Sequence, residues 1–333
     1  MSLYNSAGPA YRSRPVFDRG TLLRTEGPVY VIGAVNMDIA GTPSAALRAG
    51  DSNPGRVTLS PGGVGRNIAE NLRLLGRKVS LITITGEDAY GEIIREQCRN
   101  AGIDMQFSFT DPLARTSTYL CLNEENGDLH AAISDMSIYE LLTPARLEPL
   151  LPVLNRGAML IADANLPEET LGWLAQHITI PMGADPVSCA KADRLKPLLP
   201  KLTLIKPNVP EAELLTGMEI RGDGDLGRAA DALHRMGVRR VYLSLGGRGV
   251  WADDTREGGE LIPCFPGVIV NTTGCGDAFV AAAADAFLSG LSTLEAARRG
   301  LAASAVCAED GAAVNPRMSR EMVDFKVASP RIR

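Results

Sequence analysis

Short, uninterrupted apolar runs recur along this chain, and stretches of helical periodicity lie between them. Residues 29–35 read VYVIGAV, and 78–86, 158–165, 178–186, 202–208 and 238–246 repeat the type. A strand that is apolar at nearly every position is covered on both faces, the condition of a parallel sheet between helical layers. The intervening segments supply those layers. Ile68, Leu72 and Leu75 share one helical face at spacings of four and three. Further helices are read over 89–102, up to Gln176, over 210–217 with Pro210 early and Gly217 as the stop, over 226–237, and over 292–308. Residues 268–290 read as a strand, a loop and a long Ala-rich helix. This alternation predicts a three-layer α/β/α fold with a mostly parallel central sheet.

Two segments break the pattern. Residues 41–60 are polar, contain Gly and Pro, and hold a short strand at 56–60. Within 112–133, the stretch from 116 alternates and carries Asn126-Gly127, the signature of a tight β-hairpin. Together they are expected to form a small β lid placed to cover a ligand. GVWA (249–252) and ELIPCF (260–265) read as antiparallel strands. The folded domain is expected over 28–325, and polar residues 1–27 as a flexible extension.

Composition removes several classes of function. The net charge is −5 with no basic block, which argues against a nucleic-acid partner. No apolar run reaches the ~18 residues of a membrane span, and the amino terminus has no apolar signal core. Six cysteines without C-x-x-C and three histidines make a zinc site or a disulfide framework unexpected. Reduced thiols and a cytoplasmic location are the expectation.

Glycine is the residue in excess: 34 of 333 positions, against a usual share of ~7%. These glycines gather. The first cluster, Gly62, Gly63 and Gly65, precedes a helix without matching G-x-G-x-x-G. It reads either as a tight strand-to-helix turn or as a close approach to a polar ligand, with Asn67 and the upstream Asp38 meeting hydroxyl groups. The second cluster, Asn271-Thr272-Thr273-Gly274-Cys275-Gly276-Asp277, lies between a strand and the Ala-rich helix. Its N–H groups and the helix terminus form an anion hole suited to a phosphoryl group in flight. Asp277 beside that hole is placed to take a proton from an attacking hydroxyl, a stronger reading than helix capping. The third cluster, Ser244-Leu245-Gly246-Gly247-Arg248-Gly249, reads first as a hairpin bend and second as a polyphosphate cradle, with Arg248 a clamp or a surface residue. In 206–211, KPNVPE, Asn208 and Glu211 are oxygen donors of the kind Mg²⁺ uses through water, or a helix-start signature. There is no G-x-x-x-x-G-K-[ST], so a P-loop is unsupported.

In this order the clusters resemble the ribokinase-like (PfkB) family of sugar and nucleoside kinases. PGGVGRN (61–67) resembles its amino-terminal signature, NTTGCGDAF (271–279) its carboxyl-terminal one, and KPNVPEAE (206–213) its N-x-x-E element. Within the family, VIGAVNMDIAG (31–41), DSNPG (51–55), GGVGRNIAENL (62–72), ISDM (133–136) and VNTTGCGD (270–277) are similar to the pseudouridine-phosphorylating branch. The resemblance implies ATP-dependent phosphorylation of a ribosyl 5′-hydroxyl. It makes Asp277 the catalytic base, with Gly274, Cys275 and Gly276 stabilising the phosphoryl group. It places Asn36, Asp38, Gly63 and Asn67 on the nucleoside or sugar, with Asn53 and Asp135 near a base. Asn208, Ser244, Gly246, Gly247, Gly249, Thr273 and Asn315 fall to ATP, and Asn208 and Glu211 to Mg²⁺. It also implies a homodimer through the lid. Cys275 stands where Ala is usual. Asn271 stands where most relatives carry Asp near a monovalent cation, so K⁺ is the further ion to test. Two alternatives stand beside this reading. One is a family member acting on ribose, adenosine, inosine or a 2-keto-sugar acid, and the other is a non-catalytic nucleoside binder.

Overall fold

Strand β1 (Val29–Ile32) shows how the sheet is buried. Val29 and Val31 enter one hydrophobic core, while Tyr30 and Ile32 enter another. Side chains alternate across a strand, so a wholly apolar strand must have a layer on each side. The computed structural model describes residues 26–329; nearly all of the extension expected over 1–27 lies outside the described residues.

The strands that follow are β2 (Asn36–Pro43), β3 (Gly55–Gly62), β4 (Val79–Ile82), β5 (Ile84–Gly86), β6 (Phe109–Asp111), β7 (Thr118–Asn123) and β8 (Leu129–Asp135). Then come β9 (Met159–Asp163), β10 (Met182–Asp185), β11 (Leu202–Ile205), β12 (Arg240–Ser244), β13 (Val250–Asp254) and β14 (Gly258–Ile262). The longer helices are α1 (Val64–Leu74), α2 (Ala89–Asn100), α3 (Glu168–His177), α4 (Val209–Thr216), α5 (Asp223–Arg235), α6 (Cys275–Leu288), α7 (Thr293–Ala308) and α8 (Arg320–Ala328).

The main sheet has the order β14-β13-β12-β11-β10-β9-β1-β4. It is parallel from β12 to β4, and β13 and β14 add an antiparallel edge. Helices α1, α2, α6 and α7 fill the core on one face, and α3, α4 and α5 the core on the other. The expected three layers are therefore present. Helix α6 is buried along almost its whole length, because its alanines let neighbours come close. The closest approach is to α7, where the Phe279 ring lies over Gly300 and a Cβ there would sit 2.6 Å from the ring.

The lid is a separate sheet, β3-β2-β7-β8. Here the sequence reading missed a strand. It gave this stretch only the strand at 56–60, but after residues 33–35 the chain starts β2, which pairs with both β3 and β7. Register makes the lid two-faced. Leu59, Ile39, Leu120 and Ile133 line up across it, and so do Ser60, Asp38, Tyr119 and Ser134 on the other side. Both crossings from core to lid are fastened. Tyr139 is fully buried, receives the Val35 N–H at 2.5 Å and donates to the Val35 carbonyl at 2.8 Å. Asp88 accepts the Thr116 N–H at 2.8 Å and its hydroxyl at 2.7 Å.

Two expectations need correction. Residues 268–270 form no strand: Val268, Ile269 and Val270 are exposed and pair with no strand of the sheet. The chain there hangs on the end of α7 through the Val270 N–H to the Ala308 carbonyl (2.8 Å). Helix α8 was not anticipated. Its inward side is little more than Val323, too sparse for a periodic signal.

The Phe279–Gly300 contact generates a prediction. Gly300→Val overpacks the α6–α7 seam and is expected to cost ~1–3 kcal/mol. A urea unfolding curve checks it, and an unchanged midpoint would contradict the tight seam.

Candidate active site

The carboxyl ends of the parallel strands carry a group of buried or half-buried polar residues. Asp163 ends β9, Asp185 ends β10, Lys206 follows β11, and Ser244 ends β12. Ligands of open α/β sheets bind at this edge. The loops before α1 and α6 meet there. Asn67, in the first turn of α1, donates its Nδ2–H to Asp277 Oδ2, in the first turn of α6, at 2.8 Å. Both side chains are buried, at 5% and 8% exposure.

Backbone geometry explains why glycine occupies these turns. Gly63 has φ 103°, and a Cβ would lie 2.5 Å from the Ala34 carbonyl oxygen. Gly274 has φ 81°, and a Cβ would lie 1.9 Å from the Ala313 carbonyl oxygen. Much of the glycine excess therefore serves backbone-to-backbone approach, which draws the two helix starts together. Gly276 is different: its missing Cβ faces Lys206, whose Nζ would be 3.2 Å away. Lys206 thus sits at the loop expected to form an anion hole, with Asp185 at 3.6 Å.

Asp277 does not cap its helix. The N-cap is Gly274, and the Asp277 carboxylate points at Asn67. Thr273 donates its N–H to Asn271 Oδ1 (3.0 Å), and Cys275 donates its N–H to Thr272 O (3.3 Å). The N–H groups of Gly276 and Asp277 belong to the first helical turn, which leaves them without an intrahelical acceptor. Of the groups expected at an anion hole, Gly276 therefore offers an unengaged N–H, whereas that of Cys275 is taken. Burial, with the Asp185 carboxylate nearby, holds the Asp277 carboxyl well above its ordinary range. The Asn67 hydrogen bond and the Lys206 charge oppose that shift.

Asp38 lies on the lid face that looks toward α1. It accepts from Asn36 Nδ2 at 2.5 Å. Burial raises its pKa, against the Asn36 hydrogen bond and the Arg66 charge. Asn36, Asp38, Gly63 and Asn67 are thus one neighbourhood. Asn53 lies at the exposed far end of the lid and binds its own loop through the Arg48 N–H (2.8 Å). Asp135 ends β8 and is turned to Ser137 (2.7 Å).

The other two clusters also meet. The Ser244 N–H donates to the Pro207 carbonyl at 2.9 Å, so KPN and the SLGGRG bend lie side by side. Asn208 and Glu211 form a full capping box at the start of α4: Asn208 Oδ1 accepts the Glu211 N–H and Glu211 Oε2 the Asn208 N–H, each at 2.9 Å. Burial raises the Glu211 pKa. Gly246 and Gly247 face open space, whereas Gly249 is required by its approach to the Ile262 carbonyl. Arg248 is exposed and paired with Asp223, so the surface alternative holds. Asn315 is buried and engaged internally, with Nδ2 donating to Val306 O (2.6 Å) and Oδ1 accepting from the Arg317 N–H (3.0 Å). The sequence reading assigned no role to Lys206, Asp185, Asp163 or Arg66. Lys206 stood inside a quoted motif. Asp163 and Asp185 were visible only as carboxylates closing apolar runs.

With this geometry in view, the comparisons are decisive. The sequence profile of the pfkB family carbohydrate kinases matches residues 28–319. The chain belongs to that family. It is therefore an ATP-dependent phosphotransferase acting on a small-molecule hydroxyl. This kinase is 37% identical over 278 residues to pseudouridine kinase of Escherichia coli, covering 83% of this chain and 88% of that one. It is 27% identical over 300 residues to guanosine-inosine kinase of Exiguobacterium acetylicum, covering 89% and 98% respectively. Arabidopsis thaliana ribokinase, solved with ribose and ATP, superposes with a TM-score of 0.81 at 22% identity, covering 91% of this chain and 99% of that one, a likeness of fold.

Among the described residues no helix is long and apolar enough to cross a membrane, and no group of three His, Cys, Asp or Glu side chains is arranged to hold a metal. The six cysteines are free thiols, as expected.

Asp277 is held near two other carboxylates, so neutralising it should relieve strain. Asp277→Asn is expected to raise the thermal midpoint by ~2 °C or more. Differential scanning calorimetry at neutral pH checks this, and a lowered midpoint would show that the charge is compensated.

Proposed function

We propose that this kinase transfers the γ-phosphoryl group of ATP to the 5′-hydroxyl of a ribosyl nucleoside, with pseudouridine the first acceptor to test. The convergence of Asn67, Asp277 and Lys206 at the start of α6 carries the reaction. The 37% identity to a pseudouridine kinase supports the acceptor. Ribose and the purine nucleosides remain the rival acceptors, because specificity within such a family rests on a few pocket contacts.

Asp277 takes the hydroxyl proton. The acceptor oxygen bonds to the γ-phosphorus as its bond to the bridging oxygen of ADP breaks. The Gly274 and Gly276 N–H groups, the positive end of α6 and Lys206 receive the charge on the transferring group, with Cys275 shaping the turn between them. Asn36, Asp38, Gly63 and Asn67 hold the ribosyl hydroxyls. Ser244, Gly246, Gly247, Gly249, Thr273 and Asn208 border the nucleotide, and Asn315 ties down the loop beside it. Asn208 and Glu211 offer oxygen donors already engaged in a capping box. That suits a hydrated Mg²⁺ bridged by water, since Mg²⁺ keeps several waters. When bound, Mg²⁺ would neutralise phosphate charge.

Asn271 donates its Nδ2–H to the Gly311 carbonyl (2.9 Å), a bond that Asp could not make. This supports turnover without a K⁺ requirement. The exposed apolar row of Leu59, Leu120 and Ile133, flanked by Val57, Leu122 and Leu129, supports a homodimer through the outer lid face. A reduced, cytoplasmic setting fits the free thiols.

Steady-state rates with pseudouridine, uridine, ribose, adenosine, inosine, guanosine and a 2-keto-sugar acid, with and without K⁺, test the acceptor. Strong preference for pseudouridine over uridine is expected, and equal or better turnover of ribose would overturn it. Asp277→Asn should retain binding of both substrates by calorimetry while transfer falls ~10²–10⁴-fold. Retained transfer would refute the base assignment, and a binder without catalysis would show no transfer in the parent protein. Leu120→Glu is expected to convert a dimer to a monomer by light scattering.

A further inference from the structure

Arg66 carries a buried charge that the proposed reaction does not use. It lies in the first turn of α1, between Gly65 and Asn67, and is 8% exposed. Its Nη2 pairs with Glu70 Oε2 at 2.6 Å, one helical turn on. Its Nη1 donates to Asn67 Oδ1 at 3.2 Å. Its Nε is buried without a hydrogen-bond partner. Its charge also favours the ionised form of Asp38 across the pocket.

The contact with Asn67 has a directional consequence. The two ends of an amide are nearly equal in shape and opposite in role: one donates and the other accepts. Asn67 must present its NH₂ to Asp277 to make the 2.8 Å hydrogen bond. Turned over, it would set an oxygen against a carboxylate. The backbone of Asn67 is also tied, since its carbonyl accepts from Asn71 Nδ2 at 2.8 Å, but this bond does not select the amide orientation. The guanidinium does, because it has only donors to offer Oδ1.

We propose that Arg66 is a positioning residue: by holding Asn67 Oδ1 it fixes the amide with its donor toward Asp277, and so aligns the carboxylate for the acceptor hydroxyl. Glu70 anchors the guanidinium from the far side, so the set runs Glu70, Arg66, Asn67, Asp277. Its consequence for catalysis rests on Asp277 being the proton acceptor; its consequence for the Asp277 carboxyl does not.

The groups facing Asp277 define the expected sign. Asn67 faces it from α1, Asp163 from β9, Asp185 from β10, Lys206 from the end of β11, and Cys307 from α7. Asn67 and Lys206 favour the carboxylate, whereas the two aspartates disfavour it. Loss of the Asn67 donor should therefore move Asp277 titration to higher pH.

The test measures the Asp277 carboxyl by ¹³C NMR titration in the parent protein, Arg66→Met, Arg66→Lys and Asn67→Ala. Arg66→Met should shift the Asp277 midpoint upward as Asn67→Ala does, and Arg66→Lys, which keeps a donor, should restore it toward the parent value. In turnover, the acidic limb of kcat/KM should move up in step, kcat at neutral pH should fall ~10–100-fold, and KM for ATP should hold. A folded Arg66→Met protein with an unmoved Asp277 midpoint would overturn the proposal, whatever its rate. Should Arg66→Met fail to fold, Arg66→Gln, which keeps a neutral donor, decides by the same midpoint. A shifted midpoint in a protein that phosphorylates no acceptor would leave this positioning intact and refute the proposed function instead.

Discussion

One hydrogen bond joins positions 210 residues apart: Asn67 to Asp277. Around it the starts of two helices face each other, and the backbone elsewhere is arranged to let them. Gly63 and Gly274 take conformations that a side chain would forbid, each pressed against a carbonyl of another segment. Helix α6 reaches this point by burying nearly all of its length, which its alanines permit. The parallel strands bring Asp163, Asp185 and Lys206 to the same edge. The result is a carboxylate taken from water, flanked by like charges and balanced by one amide and one ammonium. Such an environment raises the proton affinity of the group, which suits a base that must accept a proton from an alcohol.

The lid completes the enclosure by a different rule. A four-stranded sheet outside the core has one face toward the site and one away from it. Register gives the inner face Ser60, Asp38, Tyr119 and Ser134, and the outer face a row of aliphatic side chains. The inner face can meet a hydroxylated ligand, while the outer face invites a second apolar surface. Tyr139 and Asp88 fasten the two crossings at Val35 and Thr116, so the lid is attached through fixed points.

The layers were legible because a strand buried on both faces is apolar at successive positions, and Val29–Ile32 shows this directly. The loop before α6 and the place of Asp277 in its first turn were legible because Gly, Thr and Asp at that spacing before a helix leave few structural alternatives. Strand β2 was not, since Asn36–Pro43 mixes polar and apolar residues and pairs only through long-range contacts. The apolar 268–270 looked like a strand, but its backbone bonds to the end of α7 instead of a sheet neighbour. Lys206 and Asp185 escaped notice because their importance lies in a distance across strands, which spacing along the chain does not encode. Gly63, Gly249 and Gly274 also make room for the backbone of another segment, a need that spacing along the chain does not encode.

The central claim is that the acceptor hydroxyl meets Asp277 while the phosphoryl group lies at the start of α6. A crystal structure with the acceptor, ADP, Mg²⁺ and a planar aluminium fluoride mimic of the transferring group tests it most directly. The mimic is expected against the Gly276 N–H and Lys206 Nζ, with the acceptor oxygen in line and within about 3 Å of an Asp277 oxygen. A mimic bound away from α6, or an acceptor hydroxyl turned from Asp277, would contradict it.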